Sequence, residues 1–229
     1  MSFELIDLLK AGVHFGHTKS KRHPGMAPFI FGVKQSINLI DLEKTQIMLD
    51  EAVKFVKKIT SQGGVILFVS SKKQAHGIIK EAAEKSKMPY INTRWLGGTF
   101  TNFANISSLT QKLKRMEEEQ VKGDWFRYTK KEALEKEREV IRLKEMVEGI
   151  KNMNKLPQAV FIVDIKKDKT ALAEANKMNI PVIAICDSNS NPKLVNYPIP
   201  GNDDAVKSIT LITNAIAEAC HLVDKSVGL

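Results

Sequence analysis

The chain has 229 residues, 43% of them hydrophobic, with 13 glycines and 8 prolines; this is globular composition and excludes disorder and collagen-like repeats. At this length a chain buries roughly 70% of the surface its unfolded form exposes, so a core forms without disulfides or a structural metal. Its 35 Lys and Arg against 26 Asp and Glu leave a formal charge of +9, which favours polyanionic partners, nucleic acid or an acidic membrane surface.

The start MSFELIDLLK lacks the basic and apolar regions of a signal peptide. No apolar run approaches the ~18 residues of a membrane span, and the expected location is the cytoplasm. From Asp7 to Asp41 no acidic residue intervenes, whereas Lys10, Lys19, Lys21, Arg22 and Lys34 are basic, joined by His14, His17 and His23. Pro24, Gly25 and Pro28 make much of this stretch a loop. With Phe15, Phe29 and Phe31 interleaved, such a loop can meet phosphates through its cations and pack rings on bases or on a protein. A solvated loop with core-anchoring aromatics is the plainer alternative.

Short apolar runs follow at 37–42 (INLIDL), 65–70 (VILFVS), 90–93 (YINT), 159–165 (AVFIVDI) and 181–187 (PVIAICD). They lack polar alternation, which predicts strands of a parallel sheet buried on both faces. Helical spacing predicts helices over 43–59, 74–86, 169–178 and 203–222, the first stopped by Gly63-Gly64. Alternating strands and helices give a doubly wound α/β sandwich. Cys186 and Cys220 lack CxxC spacing and read as small buried hydrophobes.

About 65 residues separate YINT from AVFIVDI, more than a crossover requires. Within them, 111–151 carries 12 Lys and Arg and 10 Asp and Glu, with sparse apolar positions at Leu109, Leu113, Met116, Leu134, Ile141, Leu143, Val147 and Ile150. This pattern predicts two exposed helices. They are broken at Gly123-Asp124, with Trp125, Phe126 and Tyr128 at the tip among Lys122, Arg127, Lys130 and Lys131. The expected organisation is therefore an α/β sandwich from 1–102 and 152–229, with an antiparallel helical hairpin (a coiled coil) inserted at 103–151.

Three further features bear on function. Ser70-Ser71-Lys72-Lys73-Gln74 lies between a strand and a helix, where free N–H groups favour a nucleotide or RNA phosphate, although no glycine-rich phosphate loop is present. Arg94-Trp95-Leu96-Gly97-Gly98-Thr99-Phe100-Thr101-Asn102 marks the hairpin root. Arg94 can pair with phosphate or carboxylate there, and Thr101 or Asn102 can cap the next helix. His14 and His17 are spaced like metal ligands, and Asp187, Asp203 and Asp204 can converge at the carboxyl ends of strands. Each has a duller role: His14 in the core, Asp187 starting a turn, Asp203 capping the last helix. No nucleophile stands at motif spacing from a base, and neither metal nor cofactor is expected.

The segments LLKAGVHFGHTKSKRHPGMAPFIFG, INLIDLEKT, RWLGGTFTN, PQAVFIVDIKKDKTALAEANKMNIPVIAICDSNSNP and YPIPGNDDA together resemble, in order and over essentially the whole chain, the bacterial small-subunit ribosomal protein two family. The resemblance implies a flavodoxin-like α/β/α fold carrying the helical hairpin, and a structural ribosomal component rather than an enzyme. Its implied partners are small-subunit ribosomal RNA and other small-subunit proteins, including the large protein one that captures messenger RNA; neither membrane nor self-association is implied. Carried onto this chain, it marks Lys19, Lys21, Arg22, His23, Lys34 and Arg94 as RNA contacts, beside the strand-end cations Lys72 and Lys73, and Phe15 and Phe31 as the protein-partner surface. Where the family often has Trp-Asn before the loop proline, this chain has Arg22-His23, gaining charge and losing an aromatic. The competing function is an enzyme that binds a phosphorylated small ligand at the sheet's carboxyl ends through Lys72 or Lys73. The basic loop and hairpin are expected to gain order on RNA.

Overall fold

The computed structural model describes residues 4–123, 125 and 128–221. Asp124 of the expected break, Phe126 and Arg127 of the expected hairpin tip, and the expected helix end at residue 222 lie outside the described residues. The chain begins with helix α1 (Leu5–Lys10) and a small antiparallel sheet, β1 (Phe15–Thr18), β2 (Ile30–Lys34) and β3 (Ile37–Ile40), ordered β1-β3-β2. Helix α2 (Leu42–Ser61) follows, capped by the Asp41 carboxylate, which accepts from the amides of Glu43 and Lys44.

The remaining strands, β4 (Ile66–Val69), β5 (Tyr90–Ile91), β6 (Ala159–Ile162), β7 (Val182–Cys186) and β8 (Tyr197–Pro200), form one parallel sheet ordered β5-β4-β6-β7-β8. Counted within that sheet the order is 2-1-3-4-5, the flavodoxin-like arrangement, whose topological switch point falls between β4 and β6. Helices α3 (His76–Ser86) and α6 (Lys169–Lys177) form crossovers, α7 (Val206–His221) follows β8, and α4 (Phe103–Val121) and α5 (Lys130–Val147) form the long excursion after β5.

Alternate residues of each buried strand feed two cores. Ile66, Phe68 and Phe161 pack with Leu49, Val56, Ile79, Ile212 and Ile216 from α2, α3 and α7. Leu67, Val69, Val160 and Ile162 pack with Leu172, Trp95, Phe100, Ile106, Leu113, Leu143 and Val147 on the opposite face. The expected three-layer α/β/α sandwich is thus present. Both outer strands are blunted: β8 carries Pro198 and Pro200, and at β5 a Cβ on Gly149 would stand 2.2 Å from the Tyr90 carbonyl oxygen, so only glycine allows that close cover. Cys186 and Cys220 are buried, which pushes both thiols up to about 12.

Several expectations are corrected. The run at 37–42 does not join the parallel sheet; in β3, Asn38 and Ile40 are buried while Ile37 is exposed, the one-sided burial of an antiparallel strand. Strands β1 and β2 lie within what reads as loop, and β8 is hidden by its prolines. The helices α4 and α5 run antiparallel, linked by Lys112 to Glu139, Lys136 to Glu119 at 3.2 Å and Lys144 to Glu117 at 3.2 Å. They are not simply exposed, since Leu113, Met116, Val140, Leu143 and Val147 are buried, although Leu134 and Ile141 face solvent. Asn102 stands at the start of α4 without a side-chain cap, and Thr101 gives its hydroxyl to Glu174 instead. Asn202, not Asp203, caps the approach to α7, accepting from the amides of Asp204 and Ala205.

Candidate nucleic-acid interface

Gly12, at φ +72°, ends α1 and turns the chain into β1. From there the basic loop is tied down at successive points. The His17 amide donates to Ser188 Oγ at 2.8 Å, Asn38 Nδ2 donates to the His17 carbonyl at 2.7 Å, and the Lys19 amide donates to the Ser36 carbonyl at 2.8 Å. At the far end the His23 amide donates to the Ser188 carbonyl at 2.8 Å. Between these ties the one-turn helix Lys19–Lys21 presents Lys19, Lys21 and Arg22, all exposed.

His23 is half-buried, and its Nδ1 accepts from the Gly25 amide at 3.0 Å, which leaves Nε2–H as its remaining donor. Lys34 is exposed at the end of β2, and Ile37 pairs with both Lys34 and Thr18, which sets Lys34 across the small sheet from Lys19. Phe15 and Phe31 lie on the two outer strands of the same sheet, on either side of β3; these rings are 48% and 79% exposed, available to a partner rather than to the core. Lys73 and Arg94 are exposed but lie apart from this loop, after β4 and after edge strand β5.

Lys72 corrects the expectation of a phosphate-facing cation. It is buried at the switch point, with Nζ at 3.1 Å from Asp164, 2.7 Å from Asp203 and 2.8 Å from Asp204, and it also donates to the Asp203 carbonyl. Its donors are spent on carboxylates. The same cluster extends to the basic loop through His17, whose Nδ1 meets Asp187 at 3.0 Å and whose Nε2 lies 3.5 Å from Asp204.

The electrostatics follow from this crowding. Burial pushes Asp203 up to about 7, and the negative charges of Asp164 and Asp187 add to it against Lys72. Burial opposes the charged form of Lys72, but Asp203, Asp204 and Asp164 raise its pKa. The hydrogen bond to Asp187 raises His17, outweighing its burial, with further help from the Asp203 and Asp204 charges. Burial alone would raise Asp204, yet Lys72, His17 and Lys21 hold it below the ordinary carboxylate range.

Among the described residues, His17, Asp187, Asp203 and Asp204 offer ligand atoms within 4.8 Å of one another, the set that could hold a divalent cation. His14 is not part of this set: its ring lies against Phe15 at 4.0 Å, and burial lowers its pKa. The depression beside the cluster holds about 320 Å³ and is lined by Lys21, Lys166 and Lys167 together with Asp164, Asp203 and Asp204. The lining sets four lysines, Lys21, Lys72, Lys166 and Lys167, against Asp164, Asp203 and Asp204.

Two important residues went unread in the sequence. Ser188 sits in the DSNSNP turn, where a strand-end turn beside a basic loop could have been the signal. Glu174, inside α6, carries no local signal at all.

The comparisons with known proteins agree with this architecture. The family model for ribosomal protein S2 matches residues 8–222. Among curated relatives, the small ribosomal subunit protein uS2 of Dehalococcoides mccartyi is 46% identical over 213 residues, covering 93% of this chain and 87% of the relative. That of Marinobacter nauticus is 43% identical over 222 residues, covering 97% and 89%. With a flavodoxin-like sheet, a long helical excursion after β5 and a match over nearly its whole length, the chain belongs to the ribosomal protein S2 family.

Proposed function

We propose that the chain is a structural constituent of the small ribosomal subunit that binds ribosomal RNA through its basic loop and works in translation in the cytoplasm. Membership of the S2 family supports the ribosomal role. The observation that carries the RNA reading is the exposed array Lys19, Lys21 and Arg22 on a turn anchored at both ends. Lys34 extends the array, with Lys73, Arg94 and the His23 donor as further contacts. Each phosphate neutralised releases counterions, so affinity falls as salt rises, with a slope of roughly 0.7 to 0.9 per contact.

The test is binding of the full chain to small-subunit ribosomal RNA across a salt series, compared with the triple variant Lys19→Ala, Lys21→Ala, Arg22→Ala. The slope should drop by about 2 to 3; an unchanged slope rejects the loop as the RNA contact. Phe15 and Phe31, each exposed on an outer strand of the small sheet, supply the second half of the proposal, a docking face for the neighbouring protein that captures messenger RNA. Replacing either ring with Ala should release that protein from intact subunits while leaving RNA binding unaltered.

A further inference from the structure

The proposed RNA contact depends on how the loop is held. Segment 17–23 has two fastenings to a single residue: the Ser188 hydroxyl accepts from the His17 amide and the Ser188 carbonyl accepts from the His23 amide, each at 2.8 Å. Ser188 is fully buried. The turn that carries it is locked as well, because the Ser190 amide and hydroxyl both donate to the Asp187 carbonyl, at 3.0 and 2.7 Å. On the loop side the fit is tight, for a Cβ on Gly16 would stand 2.7 Å from Ser188 Oγ and 3.1 Å from the Asn38 carbonyl oxygen.

A loop bound at both ends to one rigid residue presents its cations in a fixed array, and RNA then spends no binding energy on ordering that backbone. We propose that Ser188 is the positioning residue of the basic loop, holding Lys19, Lys21 and Arg22 as a preformed phosphate-binding array. This rests on the reading of that loop as the RNA contact. It stands against the expectation that RNA orders the loop, and hydrogen exchange over 17–23 in the free chain decides between the two.

The experiment compares the full-length wild type, Ser188→Ala, Gly16→Ala, the double variant and the triple loop variant. It reads hydrogen exchange over 17–23 and the salt dependence of binding to small-subunit ribosomal RNA. Ser188→Ala removes the hydroxyl acceptor; Gly16→Ala pushes β1 off the same atom without altering charge, and serves if Ser188→Ala folds poorly. Each should speed exchange in 17–23, weaken RNA binding by about tenfold and lower the salt slope by about one contact, roughly 0.7 to 0.9. The double variant should be no worse than Gly16→Ala alone, because that substitution already displaces the Ser188 hydroxyl contact.

A purely structural role for Ser188 would reduce the folded fraction and leave the slope of the folded protein as it was. That result, or faster loop exchange with RNA affinity within about twofold of wild type, overturns the inference while the triple variant's loss still upholds the loop reading. A triple variant that binds like wild type overturns both.

Discussion

Glu174 receives the indole N–H of Trp95 on Oε1 at 3.1 Å, and the same carboxylate accepts from the amides of Gly98, Phe100 and Thr101. One side chain from α6 therefore satisfies the turn by which the chain leaves β5 for α4. Burial would raise the Glu174 pKa, but these hydrogen bonds hold it below the ordinary value. Glu174→Gln turns an NH₂ toward part of this donor set, and the loss should be about 1–3 kcal/mol, the range for buried groups left unsatisfied. Thermal unfolding should show a melting temperature lower by about 3–10 °C. A depressed pKa gives stability that is present above the unfolded value of 4.5 and lost as pH falls through the folded value. The gap between wild type and variant should accordingly close in acid.

Removing the ammonium at the switch point leaves three carboxylates facing one another. Lys72→Met should destabilise the chain by about 3–5 kcal/mol, as expected when one partner of a buried ion pair is deleted. Asp203 tells the complementary story. With its folded pKa raised to about 7 from 3.8, ionising it in the native state is unfavourable, so stability falls as pH rises across that window. Asp203→Asn should flatten this part of the urea-midpoint profile, and Lys72→Met should cost less in the Asn background than in the wild type.

His17 titrates in the opposite chemical sense with the same pH trend. Its raised pKa means that the contribution of the His17–Asp187 pair is fully present below 6.5 and lost as pH rises through the folded value. An NMR titration should place the His17 ring above 6.5, and Asp187→Asn should bring it down. A ring that titrates below 6.5 in the wild type would contradict the hydrogen bond to Asp187.

The β2–β3 turn holds Gln35 and Ser36 at φ +48° and +64°, left-handed conformations that favour Asn and Gly. Gln35→Asn with Ser36→Gly should stabilise the chain by about 1 kcal/mol and raise its melting temperature by about 2–4 °C. The Ser36 carbonyl that receives the Lys19 amide is a backbone group, so the loop tie survives the change.

Much of the fold was legible because of one physical fact: strands buried on both faces appear as unbroken apolar runs, and β4, β6 and β7 do so. The same rule misplaced 37–42, since β3 is buried on one face only and Asn38, the polar break in its run, is itself buried. In the candidate site, strand-end carboxylates at Asp187 and Asp203 were legible as a convergence. The fate of Lys72 was not, because its partners Asp164 and Asp203 are brought to it by the sheet order rather than by any local pattern. Glu174 was hidden for a related reason: a glutamate in an amphipathic helix reads as solvent-facing until a turn from elsewhere folds onto it.

The separation of 171 residues between His17 and Ser188 has a temporal meaning. At about 5–20 residues per second of synthesis, the nascent basic segment leaves the exit tunnel roughly 10 to 30 seconds before the β7 turn that fastens it. Its ties to Asn38 and Ser36 need only the first 40 residues, whereas both ties to Ser188 must wait. The fastening of the basic loop is therefore completed only as the last fifth of the polypeptide begins to arrive.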